Sequence, residues 1–155
     1  MSVGFRFAEE RDTALVLAFI RELARYEKME ELVVAREDVL RDQLFVKRNA
    51  EVIFAVEDGR EIGFALFFHN FSTFLGRAGL YLEDLYVKPE CRGRGVGTAI
   101  FHELGRIARE RGCGRVEWWC LDWNEPSIRF YKSLGAEAMT DWTVYRIAGD
   151  ALKKL

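Results

Sequence analysis

The chain has 155 residues, which suits one domain over 1–155 with a core large enough to need no disulfide or metal staple. Its 23 basic and 25 acidic side chains leave a formal charge of −2, so nothing in the charge balance calls for a nucleic-acid or anionic-membrane partner. No run approaches the ~18 apolar residues of a membrane span, the N-terminal MSVGFRFAEERD lacks the apolar core of a signal peptide, and Cys91, Cys113 and Cys120 form no CxxC pair, so a reduced, cytoplasmic chain without a metal site is expected.

VGFRFA (3–8) alternates and reads as a first strand. Asp12 or Thr13 is placed to cap a helix with Val16, Ile20, Leu23 and Glu27 on one stripe. A second helix is predicted from about Arg36 to Phe45. EVIFAVEDGREIGFALFF then reads as strand, turn, strand, with Asp58-Gly59 at the hairpin. GLYLEDLYV (79–87) is another strand. Strict alternation puts Leu80, Leu82, Asp84 and Tyr86 on one face and Tyr81, Glu83, Leu85 and Val87 on the other. A helix is predicted from about Gly95 to Arg111, with Val96, Ile100, Leu104 and Ile107 as its apolar face and Gly112 ending it. RVEWWCL (115–121) reads as a buried strand, and Asn124 to Ser133 as a short helix with Asn124 as cap and Pro126 in its first turn. TDWTVYRI (140–147) reads as a closing strand. The order β-α-α-β-β-β-α-β-α-β is that of a mixed α/β sandwich around a sheet of six or seven strands.

ECRGRGVGTAIF (90–101) sits between a strand and a helix. Three alternating glycines permit positive φ and close backbone approach. The helix N-terminus behind them offers unpaired N–H groups and a partial positive charge. Arg92 and Arg94 supply forked donors, so a phosphate is one occupant that fits. A glycine-rich turn with solvated arginines is the other reading. The spacing GxGxG has no following lysine, which weakens a P-loop, and it comes after three strands rather than one, which weakens a dinucleotide fingerprint.

Leu85-Tyr86-Val87 followed by Arg92-Gly93-Arg94-Gly95-Val96-Gly97 resembles the V-x(n)-R/Q-x-x-G-x-G/A signature of the GNAT-type N-acetyltransferases. LYLEDLYV (80–87), RGRGVG (92–97), DWNEPSIRFYKSLGA (122–136) and RELARYEKMEE (21–31) resemble segments of the spermidine/spermine and thialysine N-acetyltransferases. The likeness spans nearly the whole chain. It implies a GNAT-like, mostly antiparallel mixed sheet flanked by helices, acetyl-CoA as co-substrate, a small-molecule amine as acceptor, and a homodimer. The loop from Arg92 to Gly97 with Thr98 would hold the pyrophosphate. The backbone of Leu85, Tyr86 and Val87 would pair with pantetheine. Asn124, Glu125, Pro126 and Ser127 match the stretch that meets the pantetheine and adenosine parts.

Acetyl transfer from a thioester to an amine needs a neutral amine, a polarised carbonyl, a proton acceptor and a donor for the thiolate. An alkylammonium has a pKa near ~10.4, so an acceptor is needed at neutral pH. By resemblance Glu83 is that base, acting through water, and Tyr131 is the acid that protonates the thiolate. A solvated strand carboxylate and a packed helix tyrosine are the competing readings. Asp84 is placed to attract a cationic substrate or to form a salt bridge. Tyr26 and Glu27 match positions that meet the amine. Glu117, Trp118 and Trp119 match positions near the substrate, although alternation puts Trp118 on the core face. His102 falls opposite its helix's apolar stripe, and His69 has no recognisable partner.

The stretch His69 to Phe74 holds no carboxylate, and Arg77 follows. A long polycation would find little there to bind. The Ser72-Thr73-Phe74 arrangement followed by Gly76-Arg77 is similar to the thialysine-acetylating relatives, and that resemblance implies a lysine-like amino acid, thialysine or a short diamine as substrate. Acetylation of a protein lysine or N-terminus is an alternative, and a non-catalytic acyl-CoA sensor is an alternative of another class.

Overall fold

The computed structural model describes residues 2–155. They fall into two compact units, one ending at Trp119 and one running from Cys120 to Leu155. The first holds a five-stranded sheet in the order β1-β2-β3-β4-β5, in sequence order throughout. The strands are β1 (Gly4–Phe7), β2 (Glu51–Glu57), β3 (Arg60–Ser72), β4 (Arg77–Val87) and β5 (Val116–Trp118). Three antiparallel pairings precede one parallel pairing, β4 with β5. The β2–β3 turn is the two-residue hairpin that Asp58-Gly59 predicts. Both residues have positive φ, +50° and +73°, as a type I′ turn requires.

Helices cover both faces. On one, α1 (Thr13–Tyr26) contributes Val16 and Phe19 to a cluster with Leu44, Phe54, Phe64 and Tyr86. The Phe19 ring stacks on Phe64 with centroids 5.1 Å apart. α2 (Glu37–Arg41) runs into a π-helical turn, Asp42–Val46, which brings Leu44 into the same core. On the other face lies α3 (Val96–Glu110). Its Val96, Ile100, Leu104 and Ile107, the stripe expected from periodicity, are all 2% exposed or less. They pack against Ile53, Phe67, Leu80 and Leu82.

Asp12 stands before α1 but does not cap it. Its carboxylate accepts from Glu9 N–H at 2.7 Å and pairs with Arg6 at 2.8 Å, while Arg6 also reaches Glu61 at 2.8 Å. A guanidinium competes successfully for the carboxylate that would otherwise have bonded the helix amides. No helix of the described residues is long and apolar enough to cross a membrane.

The sheet has five strands rather than six or seven. Residues 115–121 contribute only Val116–Trp118. Residues 140–147 form no strand among the described residues, and Trp142, Val144, Tyr145 and Ile147 are exposed. Aromatic and β-branched composition favours a strand, but a strand exists only where a neighbour supplies the ladder. The second unit contains α4 (Glu125–Ser133) and α5 (Gly149–Lys153). Asn124 caps α4 by accepting from Ser127 N–H at 3.4 Å, and Gly135 follows the helix with φ of +88°.

Candidate active site

β4 leads through a 3₁₀ turn, Pro89–Cys91, into the glycine loop and α3. Gly93 and Gly95 have φ of +76° and +84°, a region that side-chain-bearing residues avoid. Gly95 stands at the N-cap of α3, so no side chain caps the helix, and no acidic residue lies in its first turn. The first bond there is donated by Ala99 N–H to Gly95 C=O at 3.0 Å. The earlier amides of Val96, Gly97 and Thr98 have no partner within the helix, by helix geometry. The result is a bare, positively polarised helix end facing the loop. Gly97 is different from the other two glycines: it lies inside the helix and needs no positive φ.

The two arginines hold the loop in place. Arg92 Nε donates to Val87 C=O at 2.9 Å, and its guanidinium lies over Tyr26 and Tyr86, 5.1 and 5.0 Å from the ring centroids. Arg94 pairs with Glu57 at the end of β2, at 3.1 Å. A cleft of about 340 Å³ is lined by Glu22, Arg25, Tyr26, Tyr86, Pro89 and Arg92.

β4 and β5 separate on the strand that leads into this loop. They pair only at Leu80–Val116, Tyr81–Glu117 and Leu82–Trp118. Residues 83–87 continue β4, and among the described residues no strand pairs with them on that side. Lys88 N–H donates to Ile62 C=O on the β3 side at 2.8 Å. The two-residue period then turns Tyr86 N–H toward β3 and the amides of Leu85 and Val87 toward the open edge.

A β-bulge sits at the point of separation. Leu66 faces Asp84 and Phe67 faces Leu82, so Glu83 is the extra residue. The bulge overturns the strict alternation expected for 79–87. Leu80, Leu82 and Val87 share the α3-side core, with Leu85 packed against it, whereas Tyr86 belongs to the α1 side. Glu83 is therefore not held among Tyr81, Leu85 and Val87, and it is exposed. Trp118 packs on Phe101 of α3, with centroids 4.9 Å apart. Trp119 instead meets Tyr81 edge-on at 6.2 Å and is 57% exposed.

Four carboxyl groups gather at the fork. Burial, then the charges of Glu83 and Glu27, push the half-buried Asp84 carboxyl up to about 7. Burial raises the Glu27 carboxyl as well. Burial, then Glu83 and Glu117, push the Tyr81 phenol up to about 12. Glu27 and Glu83 thus place Asp84 in a negative potential that favours a cation, whereas the charge of Glu117 is partly offset by its pairing with Arg115. No group of three or more His, Cys, Asp and Glu among the described residues has the arrangement to hold a metal ion.

The sequence model of the acetyltransferase (GNAT) family matches residues 17–136. The chain belongs to that family. The thialysine N-epsilon-acetyltransferase of Bos taurus is 36% identical over 165 residues, covering 99% of this chain and 96% of the relative. The L-ornithine N5-acetyltransferase of Arabidopsis thaliana is 39% identical over 93 residues, 60% of this chain and 41% of the relative. A solved structure of an integron cassette protein from V. cholerae has a TM-score of 0.81 at 31% identity, covering 99% of this chain and 97% of that one.

Several residues of this GNAT acetyltransferase stand differently from expectation. His69 has a partner after all, with Nε2 lying 3.3 Å from Arg111 Nη1, whereas His102 is exposed, as its place opposite the apolar stripe implied. Asn70 Nδ2 donates to Glu117 at 3.1 Å, and Arg115 pairs with the same carboxylate. Neither Asn70 nor Arg115 stands out in the sequence, because the contact is built from β3, β5 and the residue just before β5. Tyr131 lies on α4, where Leu134 N–H and Ala136 N–H both donate to its carbonyl at 3.1 Å.

The perturbed Asp84 has a consequence for the acetyltransferase's stability. Its folded-state pKa lies above the usual 3.8, so the native state binds its proton more tightly than the unfolded chain. Stability from this group therefore falls as pH rises from about 4 to about 7, and the cost is complete above that window. Asp84→Asn should stabilise the fold at pH 8 by about 2 kcal/mol, allowing for the solvent that reaches a half-buried side chain, and by almost nothing at pH 4. Thermal melts at the two pH values check this; an equal Tm shift at both would refute it.

Proposed function

We propose that this acetyltransferase transfers acetyl from acetyl-CoA to a primary amine of a small lysine-like amino acid, thialysine or a short diamine, by direct attack within a ternary complex. The observation that carries the reading is the juxtaposition of the β4–β5 fork with the uncapped N-terminus of α3. Acetyl-CoA supplies the activated thioester. The amides of Val96, Gly97 and Thr98, with the left-handed Gly93 and Gly95, fit its pyrophosphate. Leu85 and Val87 present amide groups at the open edge of β4 for the pantetheine arm, as an added strand would use them. An amide there would polarise the thioester carbonyl. Arg92 and Arg94 contribute by shaping the loop. Asn124, Glu125, Pro126 and Ser127 are assigned to the remainder of the cofactor.

Glu83 takes the amine's proton through water, and Tyr131 returns one to the departing thiolate. Asp84 is the second candidate acceptor, because its carboxyl titrates close to neutral pH, where a general base works best. Tyr26, Glu27, Glu117 and Trp119 line the amine's side. The names of the bovine and Arabidopsis relatives describe acetylation of a side-chain amine of an amino acid, which supports the substrate class. A homodimer is part of the proposal, supported by the exposed apolar residues of 140–147.

Turnover with acetyl-CoA against a panel of amines, read as free thiol, tests the reading. Lysine-like amino acids or short diamines should exceed spermine in kcat/KM at fixed ionic strength, because Arg77 and the carboxylate-free stretch 69–74 disfavour a polycation. A clear preference for spermine would refute the substrate assignment. Tyr131→Phe should lower kcat by about 10²-fold with little change in the amine's KM, since a proton donor to the leaving group acts only in the transition state. An unchanged kcat would remove Tyr131 from the mechanism.

A further inference from the structure

Three side chains from neighbouring positions of the sheet meet one step from the fork. Glu117 of β5 is in register with Tyr81 of β4. Its Oε1 accepts a hydrogen bond from Asn70 Nδ2 at 3.1 Å, and Arg115 Nε stands 3.1 Å from the same oxygen. Among the described residues, no contact engages Glu117 Oε2 or the terminal nitrogens of Arg115. The two side chains keep 36% and 42% of their surface exposed.

Asn70 is held in one orientation by what it serves. Its amide nitrogen faces the carboxylate, which turns Oδ1 onto Gly79, where an added Cβ would collide with it. That Oδ1 is buried without a partner among the described residues. An orphaned acceptor is destabilising, so the arrangement favours fixing Glu117 over satisfying Asn70.

An open carboxylate oxygen beside an open guanidinium fork is complementary to the ammonium and carboxylate of an α-amino acid. The spacing also fits. Tyr81 and Glu83 are two residues apart on β4, about 7 Å at the usual strand rise. Five single bonds from the α-carbon to the side-chain nitrogen of a lysine-like molecule extend about 6 Å. A zwitterionic head at Glu117 and Arg115 would deliver the side-chain amine to the bulge.

Resting on the acetyltransferase reading above, we infer that Glu117 and Arg115, positioned by Asn70, bind the α-ammonium and α-carboxylate of a lysine-like amino acid whose side-chain amine reaches Glu83. The pair is a specificity device. It separates amino acids from the diamines that share their reactive amine but lack the carboxylate.

The test compares lysine with 1,5-diaminopentane, the same molecule without its carboxylate, in the wild type and in folded variants checked by thermal melting. Arg115→Gln should raise KM for lysine about ten- to a hundredfold, with kcat within about twofold, and should not lower kcat/KM for the diamine, which has no carboxylate to lose its partner and gains from the removal of a competing cation beside Glu117. Arg115→Lys, which keeps the charge but not the fork, should recover part of the loss. Asn70→Ala should raise KM for lysine severalfold at constant kcat, the mark of a positioning residue. Equal losses for both substrates in Arg115→Gln, or no loss for either, would overturn the clamp while wild-type thiol release upholds the acetyltransferase reading. No thiol release from either amine in the wild type would overturn both.

Discussion

Gly95→Val is expected to weaken acetyl-CoA binding by about a hundredfold or more in calorimetric titration. Gly95 has φ of +84° at the cap of α3, and a β-branched residue is a strong outlier there. Relief of that strain rotates the peptide units that aim the first helix amides at the loop. Losing two amide bonds to a charged phosphate, each worth about 1.5–3 kcal/mol, predicts a change of this size. The fold should survive, because α3 is anchored by Val96, Ile100, Leu104 and Ile107 rather than by its cap. Gly97→Val is the informative contrast. Gly97 is already helical, so any loss there reports a side chain crowding the ligand and not a changed backbone. Full affinity in a folded Gly95→Val protein would sink the cradle assignment.

Glu83→Gln should lower kcat by about 10²- to 10³-fold at pH 7, the usual worth of a positioned general base. The deficit should shrink toward pH 10, where the amine arrives increasingly neutral and needs no acceptor. Asp84→Asn provides the comparison. If Asp84 only attracts the cation, its loss raises KM and leaves kcat nearly intact. A pH-dependent kcat defect in Asp84→Asn, with none in Glu83→Gln, would transfer the base role to Asp84. Burial is the main cause of the raised Asp84 carboxyl and the Glu83 charge adds to it, so Glu83→Gln should also bring the Asp84 carboxyl down.

The local elements were legible wherever the chain's own period decided them. α3 is one case: its apolar stripe, glycine start and glycine stop are all encoded within a single stretch, and all recur in the structure. The Asp58-Gly59 hairpin is another, because two residues that tolerate positive φ suffice to set the turn. The faces of β4 were not legible. A bulge is a mismatch between two strands, and 79–87 read by itself carries no sign that Glu83 will have no opposite number. That one extra residue exposes Glu83 and leaves Asp84 as the most strongly perturbed carboxyl of the site. Arg92 and Arg94 carry the same lesson: their charges are evident, but only the fold brings Val87, Tyr26, Tyr86 and Glu57 to meet them.

The sequence by itself determined the family, the strand–loop–helix unit with its bare amide end, and the cap of α4 by Asn124. These depend on residues within a turn or two of one another, where backbone geometry and short motifs settle the outcome. Tertiary structure alone decided where β4 and β5 part, which carboxyl bears the burial cost, and that Asn70, Arg115 and Glu117 meet. Each of these depends on groups from two or three strands, brought within hydrogen-bonding or electrostatic range only by sheet register and packing.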